Sequence, residues 1–350
     1  MKILHTSDIH LASGHTERVE ALKALVSTAR KYDVDALTIA GDFLDNENDV
    51  VNLEPEIRKI FSEINFPVFL IPGNHDEKAY RSGIYLGKNV KIITSPEEKY
   101  RVKDFVVKGL PYSSEVDHVT ELLKISRDID PHHKNLLMIH CDLLDISGDF
   151  EDRGTEGDER YFPVYLDYFK ELPFSHVLAG HFHTKTHIKA IPGSENRFFI
   201  YPGSPVSITR KETGKRSAIL LTDEEVTTIP LDTFHFEEIE IKFEIDKNPE
   251  SVLKKLSTLN PDSNTKIILK VTGFTNSEYS PEALENEIKK LIQPYEEQIT
   301  EFLFLVRDLS HVLEDPIVQK VIEIINNEYR KDSKELTEFY LKAVTGVTEE

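Results

Sequence analysis

Ten residues are of the types that hold metal ions or move protons, and they fall in five short groups. Asp8 and His10 stand in "SDIH", Asp42 and Asp45 in "AGDFLD", and Asn74, His75 and Asp76 in "PGNHD". His140 stands in "MIHCD", and His181 and His183 in "AGHFH". Each group follows an apolar run, so each is expected at the carboxyl end of a strand, where open α/β sheets bind their ligands. Glycine precedes Asp42, Asn74 and His181, as a tight turn or a close backbone approach requires. One strand-end histidine is usually a satisfied polar side chain. Five successive strand ends carrying carboxylate, amide or imidazole are not explained that way.

The donor types set the chemistry. Two carboxylates, one side-chain amide and four imidazoles suit borderline divalent ions such as manganese, iron or zinc, whereas magnesium and calcium prefer oxygen alone. Seven ligands exceed what one open catalytic ion requires. Two ions roughly 3.5–4 Å apart, sharing one carboxylate, polarise a phosphoryl group, generate a hydroxide and stabilise the leaving oxygen. The expected reaction is phosphoester hydrolysis.

Elements must bring these groups together. From residue 1 to about 232, short apolar strands alternate with helical patterns, the signature of an α/β domain. The candidate strands are "KILHTSD", "DALTIAGD", "PVFLIPGNHD", "FVVKGL", "NLLMIHCD", "HVLAGHFH", "RFFIYPGS" and "AILLTD". Val19, Leu22, Leu25, Val26 and Ala29 recur at helical spacing, as do Ile57, Ile60, Phe61 and Ile64, so helices are expected to cover a sheet face. The acidic, aperiodic segment Asp145 to Arg160 is expected as a loop. Residues 233–312 read as strand, helix, strand, helix, strand, a small α+β domain. Residues 313–350 read as two amphipathic helices, striped by Ile317, Val321, Ile324 and Ile325 and by Leu336, Phe339, Tyr340, Ala343 and Val344.

Composition narrows the rest. Cys141 is the single cysteine, which excludes an intramolecular disulfide and any cysteine-rich zinc site. No apolar run approaches the ~20 residues of a membrane span, and "MKILHTSDIH" lacks the sections of a signal peptide, so the chain is expected in the cytoplasm with no membrane partner. A net charge of −20 argues against binding nucleic acid by surface charge alone. Metal ions in a cleft, or a partner subunit, would then supply the positive charge.

The five groups resemble, in order and separation, the signature motifs of the calcineurin-like metallophosphoesterase superfamily: "DIH", "GDFLD", "GNHD", the isolated His140 and "GHFH". The resemblance implies a two-sheet sandwich flanked by helices over residues 1–232. It implies that Asp8, His10, Asp42 and His183 hold one ion, and that Asp42 bridges to a second held by Asn74, His140 and His181. His75 would be the catalytic histidine, with Asp76 orienting it and Asp45 also lying behind the ligands. Manganese is the first expectation for both ions, with iron, zinc or magnesium as alternatives.

The opening "MKILHTSDIHLA", the "YPGSP" of Tyr201 to Pro205 and the trailing α+β domain resemble the SbcD-like, or meiotic recombination eleven, family of double-strand-break repair nucleases. In that family the second domain caps the active site and helps select DNA, and a C-terminal helical pair binds an SMC-like ABC ATPase of the SbcC type. The resemblance also implies a homodimer acting on DNA ends. The second motif has Asp45 where family members often carry a histidine, which leaves exonuclease against endonuclease action open. The alternative is a phosphodiesterase for small molecules such as cyclic nucleotides. A protein phosphatase fits less well, because "GNHE" and an Arg-Gly pair are replaced here by "GNHD" and Asn46-Glu47. His5, His15, His118, His132, His133, His176, His187, His235 and His311 fall outside the motifs and read as structural or surface residues.

Overall fold

The computed structural model describes residues 1–127, 129, 132–146, 162–244, 249–275 and 280–345. The acidic segment expected as a loop lies outside them from residue 147 to Arg160. In chain order the described strands are β1 (Lys2–Thr6), β2 (Ala36–Ala40), β3 (Val68–Ile71), β4 (Val90–Ile92), β5 (Lys99–Val102), β6 (Phe105–Leu110), β7 (Lys134–His140), β8 (Asp142–Leu143) and β9 (Pro163–Val164). They continue with β10 (His176–Gly180), β11 (His187–Ala190), β12 (Phe198–Tyr201), β13 (Ser217–Thr222), β14 (Val226–Pro230), β15 (His235–Phe243), β16 (Thr265–Thr275) and β17 (Ile299–Asp308). The α-helices are α1 (Thr16–Lys31), α2 (Val50–Ser62), α3 (His118–Arg127), α4 (Pro249–Ser257), α5 (Pro281–Ile292), α6 (Ser310–Glu314), α7 (Pro316–Glu328) and α8 (Ser333–Thr345).

Two six-stranded mixed sheets form the sandwich, in the orders β14-β13-β1-β2-β3-β4 and β11-β12-β10-β7-β6-β5. Strands β1, β2 and β3 run parallel in one, and β10 and β7 run parallel at the centre of the other. Parallel strands between two covered faces read as unbroken apolar runs, and here both faces are used. Ile3 on β1, Ala36 and Ala40 on β2, and Leu136 and Met138 on β7 fill the core between the sheets. Their neighbours Leu4, Leu37 and Ile39 turn outward to Leu22, Leu25 and Val26 of α1 and to Ile57, Ile60 and Phe61 of α2. On the other side Leu137 and Ile139 meet Leu122 and Ile125 of α3. The helices therefore cover the outer faces, and the carboxyl ends of the central strands of both sheets remain to build a site.

All eight expected strands of this region are present. Missing from that reading were β4, β5, β11 and β14, each at a sheet edge, and the short pair β8 and β9. Lys189 and Ile188 on β11 are exposed, and Lys99 to Val102 on β5 alternate between exposed and half-buried. A strand with one face in water lacks the continuous apolar run that marks the others.

His5 was expected to be structural and is deeply so. It lies on β1 with no exposure, its Nδ1 3.1 Å from Thr38 Oγ1 and its Nε2 3.2 Å from the Ala179 carbonyl on the opposite sheet. Burial pushes its pKa down to about 4. A histidine depressed in the folded state costs nothing above its unfolded pKa near 6.5, and stability falls as pH drops from there to about 4, by about 3 kcal/mol in full. In chelator, the denaturant midpoint should fall from pH 7 to pH 4.5, and His5→Asn should flatten that slope whatever its own midpoint. An equal slope in both proteins would assign the acid sensitivity elsewhere.

The chain divides into two compact units at Glu237/Glu238, inside β15, whereas sequence character changes near residue 232. The second unit holds the sheet β15-β16-β17 and all later helices. β16 and β17 are parallel, from Ile267 beside Ile299 to Thr275 beside Asp308, and their apolar face packs with Leu256 of α4 and Leu284 and Ile288 of α5. Asp315 caps α7, accepting from the Ile317 N–H at 2.7 Å with Pro316 in the first turn. The helical pair α7 and α8 contributes Val318 and Leu341 to a small cluster with Phe274 and Leu309. Those two residues are not in the expected stripes. Of the stripe residues, Val321, Ile325, Leu336 and Tyr340 are half-buried, while Ile317, Ile324, Phe339, Ala343 and Val344 are exposed. No helix among the described residues is long and apolar enough to cross a membrane.

Candidate metal centre

The five residue groups meet. Asp8 and His10 follow β1, Asp42 and Asp45 follow β2, and Asn74, His75 and Asp76 follow β3, all in one sheet. His140 ends β7, and His181 and His183 follow β10, in the other. Beyond their strands the first two loops stay zipped together: the N–H of Asp8 donates to the Gly41 carbonyl at 3.1 Å, that of His10 to Asp42 at 2.9 Å, and that of Asp45 to Leu11 at 3.0 Å.

This convergence needs unusual backbone. Asp8, His10 and Asp42 have φ of 53°, 49° and 46°, and His181 has φ of 119°. Non-glycine residues held there cost of order 1–3 kcal/mol each and cluster at functional sites. The preceding glycines are there for space. A Cβ on Gly41 would lie 2.1 Å from His140 Nδ1, and one on Gly73 would lie 2.1 Å from Asp42 Oδ1.

Ligand-type atoms of Asp8, His10, Asp42 and His183 lie within 4.8 Å of one another, all four residues buried. His10 Nε2 is 3.2 Å from His183 Nε2 and 3.7 Å from Asp42 Oδ2. A second group shares the same carboxylate: His140 Nε2 is 3.2 Å from Asp42 Oδ2 and 2.9 Å from Asn74 Oδ1. The His181 ring lies edge-on to His140, with centroids 5.3 Å apart, and the His181 backbone N–H donates to both oxygens of Asp8 at 3.1 and 3.0 Å. Ser7 Oγ also donates to Asp8 Oδ2.

The imidazoles are aimed from behind. His10 Nδ1 donates to Asp45 Oδ1 at 3.1 Å, His183 Nδ1 to Glu212 Oε1 at 3.3 Å, and His140 Nδ1 to the Ala40 carbonyl at 2.9 Å. These acceptors carry no hydrogen, so each ring keeps a proton on Nδ1 and directs Nε2 inward, the arrangement of metal-ligating histidines. The donor set fits cations. Two inward lone pairs 3.2 Å apart on His10 and His183 repel unless positive charge lies between them. Asp42 Oδ2 is buried without a hydrogen-bond partner, with His140 Nε2 and His10 Nε2 as ion-pair neighbours at 3.2 and 3.7 Å. Such an atom is costly unless a charge satisfies it.

Electrostatics agree. Burial pushes the Asp42 carboxyl up, but His140 outweighs it and holds the carboxyl well below its usual range. Burial likewise pushes His140 down, and Asp42 reverses this, raising it to about 10. Asp8 is raised by burial. Asp45 is lowered to about 2 by its hydrogen bond to His10.

His75 differs from the buried set. It is exposed, its ring lies 4.8 Å from His10 at 82°, its N–H donates to Asp42 Oδ1 at 3.0 Å, and its Nδ1 is 3.2 Å from the Asp45 carbonyl. Asp76, expected to orient His75, has a different role. Its Oδ2 accepts from the Phe43 N–H at 2.9 Å, the Leu44 N–H at 3.1 Å and Tyr80 Oη at 2.7 Å, while Oδ1 accepts from the Gly73 N–H at 2.8 Å. It fastens the β2 and β3 loops to each other. Burial and Asp42 raise it to about 6.

Sequence reading did not find Glu212 or Arg18. Glu212 is wholly buried and also accepts from the N–H groups of Ile208 at 2.8 Å and Thr209 at 3.2 Å. Arg18 on α1 donates to the His10 carbonyl at 2.6 Å and lies 3.2 Å from Asp45 Oδ1. No motif marks either residue. Glu212→Gln should weaken manganese affinity roughly 10- to 100-fold, the usual effect of losing a carboxylate behind a ligating histidine. Unchanged affinity in a metal titration would end that role for Glu212.

Comparison with known proteins gives a family model described as calcineurin-like phosphoesterase, matching residues 1–185. An uncharacterized metallophosphoesterase of Bacillus subtilis, YhaO, is 26% identical over 247 residues, covering 63% of this chain and 57% of that protein. The DNA double-strand break repair protein Mre11 of Saccharolobus solfataricus is 26% identical over 233 residues, covering 61% and 56%. The matched region thus spans little more than half the length of these curated relatives. Among solved structures, TT1561 of Thermus thermophilus aligns with a TM-score of 0.43 at 16% identity, over 65% of this chain and 98% of that one.

Proposed function

The chain belongs to the calcineurin-like phosphoesterase family, hydrolases of phosphoester bonds, and from that premise we propose that it is a two-metal DNA nuclease acting at DNA ends. The observation that carries the two-metal part is Asp42 Oδ2, which lies 3.7 Å from His10 Nε2 and 3.2 Å from His140 Nε2, between two ligand groups. Asp8, His10, Asp42 and His183 would hold one divalent ion, and Asp42, Asn74, His140 and His181 the other. Manganese suits this nitrogen and oxygen set, and iron and zinc compete for it. When bound, the pair supplies Lewis-acid polarisation of the phosphate and a water acidic enough to attack at neutral pH.

The chain's own residues supply the rest. His75 is exposed beside the buried ligands, and the Asp45 carbonyl fixes its Nδ1–H. A proton carried on its Nε2 is then available to the leaving oxygen, as general acid catalysis requires. The strained turns at Asp8, His10 and Asp42 keep the ligands in place before substrate arrives.

The DNA part rests on the Mre11 relative and on the second unit, which a small substrate does not need. In this reading the β15–β17 unit helps select DNA ends, and the exposed Ile317, Ile324, Phe339 and Val344 of α7 and α8 receive an SMC-like ABC ATPase. The enzyme would work as a homodimer in the cytoplasm. The test is hydrolysis of end-labelled duplex by the purified chain with manganese, beside a chelator control and bis(p-nitrophenyl) phosphate. Manganese-dependent shortening supports the nuclease and shows its polarity. Turnover of the small ester alone, with DNA intact even when the ATPase is added, favours a small-molecule phosphodiesterase.

A further inference from the structure

One basic stretch of this acidic chain is residues 209–216, TRKETGKR, with four cations and one carboxylate. That carboxylate, Glu212, is committed to His183 and to the backbone of Ile208 and Thr209. Beside the stretch lies a cavity of about 240 Å³ whose walls include Lys185, Thr186, Thr213, Lys215, Arg216 and Ser217. Among the described residues, the lining has hydroxyls and cations and no carboxylate.

Arg216 decides what such a cavity takes. It is 3% exposed, and its hydrogen bonds all run to main-chain oxygens: Nε to Ser204 at 2.9 Å, Nη1 to Thr184 at 3.3 Å, and Nη2 to His183. Among the described residues no carboxylate lies within ion-pair distance of it, and Glu212 acts on it only from further away. Three carbonyl dipoles hold the guanidinium in place without cancelling its charge, and two of its five N–H donors remain for another acceptor. Buried charges are ordinarily paired. Next to it, Thr186 Oγ1 donates to the Pro202 carbonyl at 2.8 Å and lies 3.0 Å from Ser217 Oγ, so this hydroxyl pair shapes the wall with its protons already placed.

The geometry points to a phosphate-binding site in this cavity, separate from the metal centre and built by Arg216, Lys185 and Lys215. A guanidinium with spare N–H donors, flanked by ammonium groups, is the set that recognises a tetrahedral oxyanion. The site is fastened to the metal ligands. Arg216 holds the carbonyl of His183, and Ser204, whose carbonyl it also holds, shares its Oγ–H between the carbonyls of Val206 at 2.6 Å and Asp8 at 2.8 Å. A polynucleotide carries a phosphate at every step, so a second phosphate site adjoining His183 selects a polymer over a small ester. This substrate arm rests on the nuclease reading, whereas phosphate binding itself does not.

Calorimetry of the chelator-treated chain with inorganic phosphate tests the site. Saturable binding is expected in the wild type, weakened at least tenfold by Lys185→Glu with Lys215→Glu, two exposed positions whose thermal unfolding serves as a folding control. No saturable binding, or equal binding in both proteins, overturns the proposal. With manganese, a duplex KM at least tenfold higher in the double variant, with unchanged turnover of bis(p-nitrophenyl) phosphate, assigns the site to the substrate's own backbone. Unchanged duplex KM with phosphate binding lost assigns it to the free ion. If the chain cuts no DNA while phosphate binds as stated, the nuclease reading falls and the site stands.

Discussion

Asp42→Asn should leave a folded protein that binds neither metal ion tightly and hydrolyses phosphodiesters roughly 10³-fold more slowly or worse. Asparagine keeps an oxygen to accept the His75 N–H that Asp42 Oδ1 holds at 3.0 Å, so the β3 loop keeps its anchor. What it removes is the negative charge on the one oxygen that faces both ligand groups. Losing the shared carboxylate weakens both ions, whereas losing any other ligand weakens one. The ions contribute several kcal/mol of transition-state charge stabilisation, and about 1.4 kcal/mol corresponds to a decade in rate. Metal analysis after gel filtration, beside a thermal melt, reads the outcome. One tightly retained equivalent of manganese would show that Asp42 serves a single ion and would refute the bridge.

His75→Asn should do the opposite to metal content and nearly as much to rate. The ring contributes no atom to the buried Asp8, His10, Asp42 and His183 group, and the one cluster it joins, with His10 and Asp45, is only partly buried, so the ions held by the seven proposed ligands should remain. Turnover should fall roughly 10²- to 10⁴-fold, the range for a positioned general acid. The deficit should be smallest for p-nitrophenolate, which needs little protonation to leave, and largest for an alkoxide such as a deoxyribose oxygen. A deficit independent of the leaving group would remove His75 from the proton's path, and loss of metal would make it a structural residue.

Much of this site was legible because its residues are local. Each ligand lies within a few positions of a strand's last residue, and a strand end is visible wherever an apolar run stops at a glycine. Which rings face which partners was not legible. Glu212 reaches His183 across 29 positions, from a loop whose sequence resembles any basic turn. Asp76 sits beside His75 in the chain, yet its carboxylate turns away to four donors from the β2 and β3 loops and from Tyr80. Adjacent residues at such a turn diverge, so sequence proximity misleads. In the second unit the periodicity of α7 and α8 marked helices correctly and their buried side in part: Tyr340 packs against the cluster, while Val318 and Leu341 at its centre lie outside the stripes. An amphipathic pattern shows that a helix has two faces. The neighbour that covers one of them is set by the tertiary structure.

The proposed ligands come from both sheets of the sandwich, Asp8, His10, Asp42 and Asn74 from one and His140, His181 and His183 from the other. A cation held among them is therefore a rivet through the seam of the fold as well as a reagent. Anything that binds only the folded state stabilises it, by about 2.7 kcal/mol when present at a hundred times its dissociation constant. Survival of the chain at high temperature would then track the supply of the ion, so that a cell short of metal would lose the protein itself along with its activity.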